Sequence, residues 1–208
     1  MLVGPAAWPI AVTLTVFQVG VDLENSQLLD SSGDCDVRKL YARPVDGESV
    51  AGRPWPSHYT VFDPESPRAN FFYLHEMFLV MDEQAEEICR VTLGSGELLR
   101  LAVTGLGHVY LYNPLRRLGE DAVDWAATKC DLGVYSNLTL VREHIPSPSI
   151  FRLPKMSGLY LSSELQDDEK DFLYLYQQRQ LSGLYFKKLW DEHSGAVPRV
   201  STAQGVGT

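Results

Sequence analysis

The chain has 208 residues, 45% hydrophobic and 22% charged, with 27 acidic against 18 basic side chains and a formal net charge of −9. That composition excludes a disordered or fibrous chain and is ample for one large domain with its own core. The acidic balance also argues against direct binding of nucleic acid, which needs clustered Lys and Arg to neutralise phosphates, and favours a basic protein partner steered in by charge.

In chain order, residues 1–10 are apolar, but no Lys or Arg precedes the run, and Pro5 and Pro9 interrupt it. They predict an unimportant leader rather than a signal peptide or a membrane span. From Val12 the pattern alternates: Leu14 and Val16 stand against Thr13 and Thr15, then Phe17, Val19 and Val21 follow. A strand of about ten residues is expected there. Residues 43–70 hold five of the twelve prolines. Such a stretch propagates neither helix nor central strand, so a long ordered loop is expected. Trp55, His58 and Tyr59 in that loop are expected to pack on the core or on a partner.

Phe71 to Met81 reads as an aromatic-rich strand, and Asp82-Glu83-Gln84 as the acidic first turn of a helix whose inner face is Ala85, Ile88 and Cys89. Gly94 can end it. Leu98 to Val103 and His108 to Tyr112 read as two strands joined by the reversal Thr104-Gly105-Leu106-Gly107, a hairpin. Glu120 to Lys129 is expected to form a short helix with Val123 and Trp125 half buried, and Leu138 to Glu143 a strand. Ile150 to Leu153 and Leu159 to Leu161 read as further strands.

Ser163 with Gln166 fits a capping box ahead of a helix carrying Leu165, Phe172, Leu175 and Tyr176 on one face, with Gly183 as its C-terminal cap. Leu184 to Trp190 resumes as a strand, and residues 194–208 are expected to be a disordered tail. FFYLHEMFLVMDEQAEEI and IFRLPKMSGLYLSSELQDDEKDF echo one another: each has an aromatic segment, a strand and an acid-rich helix start. The expected fold is a single α+β domain over residues 1–193, a mainly antiparallel mixed sheet with a few short helices packed on it.

Chemistry is harder to find. Gly105-Leu106-Gly107 leads into a strand and lacks the Lys-Ser/Thr of a phosphate cradle. His58, His75, His108, His144 and His193 are isolated, and no HExxH occurs, so no metal centre is expected. Ser95 sits between glycines without nucleophile-elbow spacing. Cys35, Cys89 and Cys130 are far apart and odd in number. They suit buried thiols in a reducing, cytoplasmic setting better than a disulfide framework, and there the Asn137-Leu138-Thr139 sequon is irrelevant. The acidic runs at Asp82/Glu83, Glu86/Glu87, Glu120/Asp121/Asp124 and Asp167/Asp168/Glu169/Asp171 read first as solvated helix starts and second as a docking patch. No catalytic residue and no cofactor is expected.

Taken together, FFYLHEMFLVMDEQAEEI, VYLYNPL, SIFRLP and LYLSSELQDDEKDFLYLYQQRQLSGLYFKKLW resemble a bacterial immunity-protein family, immunity family eleven, over about residues 71–190. The resemblance implies a protein that binds and neutralises a cognate toxin, often a nuclease, delivered between competing cells. It implies no catalytic residues, and the first seventy residues match poorly. The docking surface expected on this basis is Asp167, Asp168, Glu169 and Asp171, with Trp55 and Tyr59 as aromatic anchors. Two other classes compete: an enzyme whose site is assembled from distant residues around His108 or His144, and a general interaction module without a toxin partner.

Overall fold

A computed structural model describes residues 13–31, 48–52, 58–131, 134–164 and 169–193. These form the strands β1 (Thr15–Val21), β2 (Leu29–Ser31), β3 (Tyr59–Val61), β4 (Phe71–Phe72), β5 (Leu79–Met81), β6 (Gly96–Thr104), β7 (Gly107–Pro114), β8 (Lys129–Asp131), β9 (Val134–Asn137), β10 (Ser149–Phe151), β11 (Leu159–Ser163) and β12 (Leu184–Asp191). The α-helices among the described residues are α1 (Glu83–Thr92) and α2 (Phe172–Gln178). The fold is α+β. A four-stranded sheet has the order β10-β11-β1-β12, a six-stranded sheet the order β2-β3-β6-β7-β5-β4, and β8 and β9 form a separate ladder. Only β3 and β6 run parallel among the described ladders.

One core cluster joins the two sheets and both helices. It holds Val19, Phe71, Leu79, Met81, Ile88, Ile150, Leu161 and Phe172, with Phe17 and Val21 packed against it. Phe71 and Phe172 meet edge to face at 6.3 Å, and burying each stabilises the fold by about 1.5–3 kcal/mol. A second cluster, with Leu14, Val16, Phe151 and Tyr160, draws on the four-stranded sheet, and a third, with Tyr59, Phe72, Val80 and Leu111, on the six-stranded one. The alternation in β1 explains its place. Even-numbered Leu14 and Val16 enter the second cluster and odd-numbered Phe17, Val19 and Val21 the shared core, so the strand is buried on both faces.

The two echoing segments fold alike. The sheet order β4-β5-β7-β6 with α1 inserted after β5 is repeated as β10-β11-β1-β12 with α2 after β11, and every ladder in both is antiparallel. Phe71 pairs with Met81 as Ile150 pairs with Leu161, and all four enter the shared core. Phe72 pairs with Val80 as Phe151 pairs with Tyr160, and these point to the outer clusters. The difference lies in connection. The central strand of the second unit is β1, from the opposite end of the chain.

Several local expectations need correction. Residues 71–81 are two antiparallel strands joined by a turn in which the Phe78 N–H bonds to the His75 carbonyl. Part of the proline-rich stretch is β3; residues 32–47 and 53–57 lie outside the described residues. Residues 120–129 form a 3-10 turn, Glu120–Ala122, and then a reversal in which the Asp124 carboxylate accepts from the N–H groups of Ala126 and Ala127, competing with helix propagation. The strand expected at 138–143 lies earlier, at β9. Leu138 and Leu140 are buried from an irregular segment, and Arg142–His144 is a 3-10 turn.

Ser163 belongs to β11; the N-cap of α2 is Asp171, and Gln166 lies outside the described residues. Gly183 is not the C-cap of α2, a place held by Arg179. It stands just before β12 with φ +100°, where a Cβ would come within 2.8 Å of Ala69 and of the Phe71 carbonyl. Between the sheets, buried Arg152 donates to the carbonyls of Pro114 (3.2 Å) and Met77 (2.7 Å) and to Asn113 Oδ1 (3.0 Å). The Asn113 amide in turn donates to the Glu48 carbonyl at 2.9 Å.

Candidate functional site

Helices α1 and α2 pack side by side because each follows the second strand of an equivalent hairpin. Their caps are built alike from aspartate. Asp82 Oδ1 accepts the Ala85 N–H at 3.0 Å, and Asn70 holds Asp82 Oδ2 at 2.9 Å. Asp171 Oδ1 accepts from Leu173 and Tyr174, at 2.8 and 3.2 Å, while Oδ2 accepts the Ser163 hydroxyl at 2.6 Å. Each carboxylate meets the positive end of a helix.

The seam between the helices is a groove of about 410 Å³, lined by Glu87, Ile88 and Val91 of α1, by Tyr174, Leu175 and Gln178 of α2, and by Glu169 and Arg179 just before and after α2. Val91 is 65% exposed and gives the groove an apolar edge in contact with water. Arg179 and Glu87 face each other at 3.6 Å, both in solvent, where such a pair contributes little to stability. A broader depression of about 740 Å³ adjoins it, lined by Asp82, Glu83, Gln84, Glu86 and Glu87 with Arg68, Leu106 and His108. Glu87 lines both. Of these acids, Glu86 is buried and ion-paired with Arg90 one turn on, so Glu83, Glu87 and Glu169 are the carboxylates that reach solvent fully.

Of the residues expected to dock a partner, the structure brings Glu169 to this groove. Asp171 is 3% exposed and spent as a helix cap, and Tyr59 is 0% exposed within the third core cluster, so neither offers a contact surface; both expectations are corrected. Trp55, Asp167 and Asp168 lie outside the described residues. The acids of α1 were visible as a run in the sequence, but their union with Glu169 depends on the packing of two helices about eighty residues apart, for which no local pattern exists. Val91 and Arg179 were missed for the same reason.

Both histidines of the competing enzymatic reading are exposed. His144 Nδ1 lies 2.9 Å from Asp121, with both side chains largely in solvent, and His108 is exposed at the rim of the broad depression. Burial, reinforced by Glu86, pushes the Cys89 thiol well above its ordinary value and so keeps it protonated on the buried face of α1. Among the described residues no group of three or more His, Cys, Asp or Glu could hold a metal ion, and no helix is long and apolar enough to cross a membrane. No protein-family model matches the chain, and no curated protein matches it either.

Proposed function

We propose that the chain works by stoichiometric binding of a basic protein in the α1–α2 groove, as an immunity protein neutralising a cognate toxin, a nuclease being the class its charge suits best. The observation that carries this reading is the groove itself. The exposed apolar Val91 lines the groove together with Glu87 and Glu169, and Glu83 lines the depression that adjoins it, on a protein of net charge −9. Acidic rims speed capture of a basic partner, and a few desolvated apolar contacts at the centre supply most of the affinity. The likeness of residues 71–190 to immunity proteins supports the toxin as the partner class.

Co-expression with the product of the neighbouring gene, the toxin this proposal expects, tests it. Growth should be rescued and the two proteins should co-purify in a one-to-one complex. Rescue without a complex, through turnover of a small molecule, would reject it.

A further inference from the structure

A second concavity, separate from the helix groove, lies where β1 and the start of β12 meet the β4–β5 and β10–β11 loops. Its volume is about 250 Å³, below the roughly 300–1,000 Å³ of sites for drug-sized molecules, so it suits a group the size of one side chain. Its lining combines two tyrosines, Tyr73 and Tyr185, with one carboxylate, Glu76, and the amide of Gln18, over the core residue Phe78, which is 2% exposed.

Two features mark it as built. Tyr185 pairs across strands with Gly20, and a Cβ at residue 20 would fall 2.4 Å from the Tyr185 ring; the glycine therefore makes the space that the ring occupies. The ring stays 46% exposed, beside Leu23 at 63%. Second, the side chains of Gln18, Tyr73, Glu76 and Tyr185 have no hydrogen-bond or ion-pair partner among the described residues. His75, next to Glu76, has its pKa lowered chiefly by burial and is neutral at neutral pH; the cations of the neighbouring elements are Arg152, which donates to the Met77 carbonyl, and Lys187, which pairs across strands with Gln18.

A carboxylate beside aromatic rings repels anions and attracts soft cations, whose charge lies over ring faces while their methylene or methyl groups replace water there. We propose that this cleft binds an organic cation, an alkylammonium or a guanidinium, with its charge against Glu76 and its carbon groups against Tyr73 and Tyr185. The proposal does not depend on the helix groove.

The test is NMR titration of the full chain with choline chloride, with acetyl-lysine methylamide and with the neutral choline isostere 3,3-dimethyl-1-butanol, at constant ionic strength. Saturable shifts at the amides of Gly20, Gly158 and Tyr185 are expected for the cations and not for the alcohol. Glu76→Gln, a change at an exposed side chain, should weaken cation binding at least roughly tenfold, and Tyr185→Ala should weaken it as well. Tighter binding of the lysine probe would place the source in a protein side chain; tighter binding of choline would place it in a free quaternary ammonium. Equal binding of the alcohol, no saturable shift at those amides, or unchanged affinity in Glu76→Gln would overturn the proposal.

Discussion

Asp171 joins two elements through one carboxylate. It satisfies two N–H groups of α2 and also the buried hydroxyl of Ser163 in β11. Asp171→Ala therefore removes a cap and strands a buried hydroxyl, with an expected loss of about 2–3 kcal/mol in urea denaturation. Asp82→Ala, whose carboxylate is less buried, is expected to cost about 1 kcal/mol. A loss at Asp171 no greater than at Asp82 would contradict that division. Residue types made both aspartates visible as helix-start candidates. Burial of Asp171 was not visible, because it follows from a hydroxyl eight positions away on a neighbouring strand. For Tyr59 the expected packing on the core is what the structure has, while its place in a loop is corrected: it begins β3 and faces a core.

Among the elements, those with clean alternation or a strong turn were legible: β1, the β6–β7 hairpin about Gly105 and Gly107, β11, β12 and α1. Those that failed, residues 120–129 and 138–143, are short segments in which side chains of Asp124 and Thr128 bond the backbone in place of a regular ladder.

At the join of β1 and β12, the Glu192 carboxylate accepts the Leu14 N–H at 3.0 Å and Arg142 Nε at 3.1 Å. The backbone N–H is the larger cause and Arg142 a smaller one of a pKa below the ordinary 4.5. A carboxyl with a depressed folded pKa contributes stability above its unfolded value and loses it as the pH falls through the folded one. Glu192→Gln should accordingly lower stability slightly at neutral pH and flatten the acid limb below pH 4.5, so that the two proteins converge as the pH falls. An unaltered acid limb, followed by thermal unfolding across pH, would sink that assignment.

For the whole molecule, the acidic, globular α+β character was readable from composition and pattern. The joining of two ββαββ units about one core was only hinted at by the echo of two segments. Pairing of β1 with both β11 and β12 links residues more than 130 positions apart, and strand partners leave no local trace. If β1 belongs to the second unit, connectivity matters less than placement. A chain running from Asp22 to His193, then through a Gly-Asn-Gly turn into residues 13–21, is expected to fold to the same amide spectrum, with stability changed by roughly 2 kcal/mol or less. Failure to fold would show that β1 is required at the start of the chain.

The claim on which the functional reading stands is that the helix groove captures a basic protein through Glu83, Glu87 and Glu169. Its direct measure is the dissociation constant of the purified complex with the toxin, compared between the unaltered chain and a Glu83→Lys, Glu87→Lys, Glu169→Lys variant at low and high salt. A weakening of at least roughly tenfold at low salt, shrinking as salt rises, is expected. Equal affinity of the two proteins at both salt concentrations would contradict it.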